Sequence, residues 1–112
     1  MNSDGPWRLR ALWRDDPATA ALTIDLALSG GRVASRHDLF GAFDLDGVSP
    51  RPFILRRDGR IDFGGHACYS WRTDLRDTEI FINGDFRVFF NDQDNGLYRI
   101  VKLARPGTRE IE

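Results

Sequence analysis

Between Glu79 and Leu103 the chain reads Ile80-Phe81-Ile82-Asn83-Gly84-Asp85-Phe86-Arg87-Val88-Phe89-Phe90, then a polar loop from Asn91 to Gly96, then Leu97-Tyr98-Arg99-Ile100-Val101-Lys102-Leu103. β-Branched and aromatic runs of this length, divided by Asn-Gly segments that supply positive φ, predict three consecutive antiparallel strands. A chain built around such a stretch must be organised by a sheet.

The same alternation recurs upstream. Trp7, Leu9, Ala11 and Trp13 alternate with Arg8, Arg10, Leu12 and Arg14, which predicts a strand with one face inward. Asp15-Asp16-Pro17 ends it, because proline lacks a ladder donor and aspartate favours turns. Leu22, Ile24, Leu26 and Leu28 fall at i, i+2, i+4 and i+6. That spacing predicts a return strand over Ala21 to Leu28 in preference to the helix from Ala18 to Leu28 that alanine and leucine content would favour. Arg32 to Asp38 has no clean period and reads as a connection between sheet edges, and Leu39 to Leu45 as a strand with Leu39, Gly41, Phe43 and Leu45 on one face. Asp46 to Pro52 is rich in turn residues, and its two prolines argue against a central strand. Asp58-Gly59, between Phe53–Arg57 and Arg60–Phe63, is suited to a type I′ hairpin turn. His66 to Arg72 predicts a further strand, Thr73 to Thr78 a charged turn, and Ala104 to Glu112 a polar tail.

Eight or nine short strands joined by hairpin-sized loops give an all-β fold class, with residues 1–112 as a single domain whose ends, about 1–5 and 105–112, are flexible. The expected architecture is an antiparallel two-sheet β-sandwich, because Arg32 to Asp38 looks like a passage between sheets; an up-and-down β-barrel is the alternative. The expected core comprises Trp7, Trp13, Leu22, Ile24, Leu26, Phe53, Leu55, Ile61, Phe63, Ile80, Ile82, Phe86, Val88, Phe90, Tyr98 and Ile100.

Composition narrows the function classes. Sixteen basic and seventeen acidic side chains are mixed along 112 residues, so totals give no broad positive field and nucleic acid is not an expected partner. No apolar run approaches the roughly 18 residues of a membrane span, so no membrane partner is expected either. Cys68 is the sole cysteine, which rules out an intrachain disulfide and a Cys-rich zinc site and points to a reducing, cytoplasmic compartment. Lys102 is the sole lysine, as a GC-rich bacterial genome would give, and arginine's planar fork suits carboxylate-bearing partners.

Residues Asp62 to Asp74 concentrate the groups that sites use. On an extended chain His66, Cys68 and Ser70 share one face, and Ala67, Tyr69 and Trp71 the other. A Cys-His pair would favour the thiolate, but i, i+2 neighbours stand about 6 to 7 Å apart, so a buried thiol is expected and no catalytic residue is assigned. Tyr69 and Trp71 with His66 and Arg72 form the candidate binding surface, because aromatics offer rigid area with a polar handle, and Gly64-Gly65 lets a ligand approach closely. His37, His66, Asp38 and Asp62 lack any paired-ligand spacing. The Asp44 to Gly47 and Asn91 to Gly96 segments miss the calcium-loop pattern, with Ala42, Phe53 and Lys102 at ligand positions. No metal or cofactor is therefore expected.

The first functional expectation is a non-catalytic module that recognises a protein partner through this aromatic-arginine surface or a strand edge. The alternative is a small-ligand or carbohydrate binder using the interior or mouth of the β framework, and a small Cys-His enzyme ranks third. No stretch is specific enough to assign a family.

Overall fold

The computed structural model describes residues 4–34, 36–45, 50–65 and 70–105. The alternating segments are strands: β1 (Gly5–Trp13), β2 (Ala20–Ser29), β3 (Arg32–Val33), β4 (Leu39–Leu45), β5 (Arg51–Leu55), β6 (Ile61–Asp62), β7 (Arg72–Thr73), β8 (Asp85–Phe89) and β9 (Asn95–Ala104). Among the described residues there is no α-helix; Leu75–Asp77 forms a 3-10 turn. The period-two reading of β2 holds, since Leu22, Ile24, Leu26 and Leu28 are all buried.

All pairing is antiparallel, in the order β6-β5-β4-β2-β1-β9-β8-β7, with β3 a spur on β2. Apart from that spur the path is a meander whose first and last strands, β1 and β9, pair with each other. Its two ends meet at a bridge between Arg60 and Arg72. Flanking that bridge, the Ile61 N–H donates to the Trp71 carbonyl at 2.9 Å and the Thr73 N–H to the Gly59 carbonyl at 2.9 Å. The chain is thus one antiparallel sheet nearly closed into a barrel, which shields edges that an open sheet would expose. The pairing does not divide into the two sheets of the expected sandwich. Instead of passing between sheets, the connection after β2 folds back so that Val33 pairs with Leu28, after which β4 joins the same β2. The barrel alternative describes the pairing.

Side chains occupy the interior. Leu9 and Ala11 from β1, Leu22 and Ile24 from β2, Phe86 and Val88 from β8, and Tyr98 and Ile100 from β9 are buried around Phe43, which is 0% exposed. Phe43 touches the rings of Phe53 at 5.0 Å, Trp71 at 5.5 Å, and Phe63 and Tyr98 at 6.0 Å. Gly41 makes this packing possible, because a Cβ there would lie 2.7 Å from Phe53 Cζ and 2.5 Å from the Thr23 carbonyl oxygen.

Three local expectations are corrected. Ile80 to Ile82 is not a strand: the Ile80 N–H bonds to the Gly31 carbonyl, and the chain turns at Asn83, whose φ is 74°. With Ile80 bonded to Gly31 and the turn following at Asn83, the expected three strands are two, β8 and β9. Ile82 is consequently exposed, while Leu75, in the charged turn, is fully buried. At the Asp58-Gly59 hairpin only Gly59 has positive φ, the Gly59 N–H bonds to the Arg56 carbonyl, and the Arg56 N–H bonds to the Arg60 carbonyl. That is a three-residue turn with a glycine bulge rather than type I′. Finally, Pro52 does lie within β5, at a point where β6, which pairs with Ile54 and Leu55, does not reach.

Candidate functional site

The meeting of β6 and β7 is short because both strands are. After Phe63 the chain leaves through Gly64 and Gly65, with φ of 78° and 53°, a left-handed path that glycine follows without strain. Arg60, Ile61, Asp62 and Phe63 on one side, and Ser70, Trp71 and Arg72 on the other, line a groove of about 370 Å³ that Asp92 completes from the loop after β8.

Aromatic contacts hold Trp71 in place. Its ring meets Phe63 edge-on at 5.2 Å and Phe90 at 4.7 Å, besides the contact with Phe43. Ile61 beside it is buried. Arg51 stands over the Phe63 ring, 5.7 Å from its centroid.

The charges around the groove differ in how they are satisfied. Asp62 accepts from Arg56 Nη2 at 2.6 Å and Nε at 3.1 Å, and from the Gly64 N–H at 2.7 Å. The Arg56 guanidinium first, and the Gly64 N–H second, hold the Asp62 carboxyl below the usual carboxylate range. Arg56 also reaches Asp38 at 2.7 Å, and its two carboxylates raise its own pKa. Asp62 is therefore already neutralised. Arg60 meets Asp58 of its own turn at 3.0 Å in a well-exposed pair. Arg72 lies over the Phe89 ring, 5.5 Å from its centroid, and makes no salt bridge among the described residues; nor does Asp92.

A wider, shallower cleft lies alongside, lined by Asp38, Arg56, Arg57, Asp58, Arg60 and Asp62, so it shares Arg60 and Asp62 with the groove. Arg76 braces this end by donating to the carbonyls of His37 at 2.9 Å, Arg56 at 3.0 Å and Leu55 at 3.1 Å, and burial lowers its pKa. Part-buried guanidinium donors given to three carbonyls tie the hairpin to the β3–β4 connection.

Of the residues singled out from sequence, the structure brings Trp71 and Arg72 to this groove. His66 and Tyr69 lie outside the described residues, as does Cys68, so the Cys-His reading falls there too. His37 is exposed on the β3–β4 connection. The described residues hold no group of three His, Cys, Asp or Glu able to bind a metal. In the Asn91 loop, Asn91 Oδ1 accepts from the N–H groups of Gln93 and Asp94, the local turn that its composition implied.

Arg60, Ile61 and Asp92 are the groove residues outside the Asp62 to Asp74 segment singled out from sequence, and within it Asp62, Phe63 and Ser70 are not among those named for the binding surface. Phe63 shares the inward side of its strand with Ile61, a usable local signal. Arg60 gives none, because its nearness to Arg72 depends on the sheet closing. A separate apolar feature is Phe40 on the outer wall, 65% exposed, paired across β4 and β5 with Ile54 and next to the Ala42–Pro52 pair.

What the groove offers is stacking area, two guanidiniums, two carboxylates and one hydroxyl. Neither a protein-family model, nor a curated protein, nor a solved structure matches the chain.

Proposed function

We propose that the chain is a non-catalytic binding module that takes up an extended segment of a protein partner along the groove where β6 meets β7. The observation that carries this reading is the pairing of Trp71 and Phe63 inside the groove with Arg60 and Arg72 at its margins. Tryptophan and arginine dominate binding energy at protein interfaces, and the rings of Phe43, Phe63 and Phe90 hold Trp71 in place at little entropic cost. Action in the cytoplasm belongs to the same proposal and rests on the single cysteine; no helix among the described residues is long and apolar enough to cross a membrane.

The test is capture from native lysate by the unaltered chain and by the Arg60→Ala, Arg72→Ala double variant, with circular dichroism run on both. A partner retained by the first and lost by the second, at equal folding, supports the reading. Equal retention sinks it.

A second reading has a specific observation in its favour. Two aromatics beside the carboxylates of Asp62 and Asp92 also match a sugar, which stacks its ring and donates hydroxyl protons. Phe43 and its neighbours fill the interior, so this reading is confined to the groove. Monosaccharides that displace the captured partner would favour it.

A further inference from the structure

The bridge that closes the barrel sets two like charges against each other. Arg60 and Arg72 are direct cross-strand partners, and side chains of such a pair project from the same face with Cβ atoms about 4.5 to 5.5 Å apart. Like charges in that relation oppose the pairing they sit on. Among the described residues neither forms a salt bridge with a carboxylate that lines the groove: Arg60 is bonded to Asp58 of its own turn in a well-exposed pair, and Arg72 has the face of Phe89. Asp62, which also lines the groove, is bound by Arg56 and the Gly64 N–H.

We infer that the segment taken up here carries one carboxylate next to an apolar side chain, the carboxylate seating between Arg60 and Arg72 and the apolar group resting on Phe63 and Trp71. This rests on the reading of the groove as a peptide site. A guanidinium pair accepts a carboxylate through paired N–H donors, a geometry that an amide or an ammonium cannot replace. Asp92 stands beyond Phe89 as the unpaired carboxylate of the groove among the described residues. It repels a second acid, so the match is a single acidic residue rather than an acidic run. Seating the carboxylate also relieves the Arg60–Arg72 repulsion, so occupancy tightens the closure of the sheet.

The experiment uses three capped peptides, Ser-Phe-Asp-Ser, Ser-Phe-Asn-Ser and Ser-Phe-Lys-Ser, titrated into the isotope-labelled chain while amide shifts are followed by NMR. Shifts are expected at Ile61, Ser70, Arg72 and Thr73, with the Asp peptide roughly five- to tenfold tighter than the Asn peptide, as one charge-assisted contact gives. The Lys peptide binds weakest. The preference disappears in the Arg60→Gln, Arg72→Gln double variant and is reduced in Arg72→Lys, which keeps the charge and loses the fork. Equal affinity of the Asp and Asn peptides, with shifts still in the groove, overturns the acidic inference and leaves the aromatic-arginine reading standing. No shift for any peptide up to about 10 mM, the weak end of measurable affinity, overturns the inference as well, while lysate capture by the double variant judges the groove reading separately.

Discussion

The indole of Trp71 meets the ring of Phe43 edge-on, 5.5 Å between centroids, and the same residue lines the groove. One side chain is therefore part of the core and part of the candidate site. Trp71→Ala should lower stability by about 2 to 3 kcal/mol, less than a fully buried tryptophan because the ring is half-exposed, and lower Tm by roughly 10 °C. Arg72→Ala, on an exposed side chain, should stay within about 1 kcal/mol, the scale of its contact with Phe89. Thermal unfolding followed by circular dichroism decides it, and a Trp71→Ala melting point within two or three degrees of the parent would move the ring out of the core. Binding tests are for this reason better made on the arginines.

Phe40 and Phe43 lie on the same strand and face opposite ways, one 65% exposed and the other 0%. Phe43→Ala should cost about 3 to 5 kcal/mol, the range for removing a buried aromatic. Phe40→Ala should cost no more than about 0.5 kcal/mol. Urea unfolding of both variants measures the difference. Equal costs would mean that β4 presents its faces otherwise than the pairing with β2 and β5 requires.

Gly59 serves both the hairpin and the closure of the sheet. Its φ of 93° is a left-handed conformation, and a Cβ would come 3.0 Å from the Thr73 carbonyl oxygen, whose own N–H is bonded to the Gly59 carbonyl. Gly59→Ala should cost about 1 to 2 kcal/mol from backbone conformation alone. The damage should be local: amide exchange at Ile61 and Thr73 should speed up far more than at Leu9 or Ile24. Uniform acceleration across the barrel would show that the seam is not a separate weak point.

Much of this architecture is legible in residue order, and the exceptions have physical causes. β1, β2 and β4 each bury one face of a half-exposed sheet, so their period-two pattern is local and strong. Closure is different. Whether consecutive hairpins stack as two sheets or curl until Arg60 meets Arg72 depends on cumulative twist and strand lengths, which no single segment encodes. The same non-local step hides half of the groove: Trp71 and Arg72 stand out by residue type, but Arg60 becomes their neighbour only when the meander comes round. Ile80 to Ile82 misleads because its composition is that of a strand, while the Gly31 carbonyl claims Ile80 and the turn at Asn83 follows at once.

Asp62 ties the groove to acid stability. Its folded-state pKa is held below the ordinary value by Arg56 and the Gly64 N–H, so the stability it contributes is present above the ordinary carboxylate range and is lost as pH falls through the lowered value. Asp62→Asn should therefore flatten the acid limb of a stability-against-pH curve while changing little near neutrality beyond a constant offset. The check is urea unfolding at a series of pH values from neutral to below the carboxylate range. An acid limb of unchanged slope would mean that Asp62 is not held by Arg56 in solution.

At the alkaline end the controlling group is Tyr98, in the barrel core and stacked on Phe86 with 6.0 Å between centroids. Burial disfavours the phenolate and pushes the Tyr98 phenol up to about 12 from its ordinary 10.0. A raised phenol pKa in the folded state means that between these values the folded chain keeps a proton the unfolded chain has released. The associated stability is complete below 10.0 and declines as pH rises toward about 12. In a Tyr69→Phe background, which leaves Tyr98 as the sole tyrosine, absorbance at the phenolate band should stay flat through the ordinary range and rise only near that upper value or together with unfolding. A reversible titration centred near 10.0 in the folded chain would place the hydroxyl in solvent and the ring at the barrel mouth instead of its core.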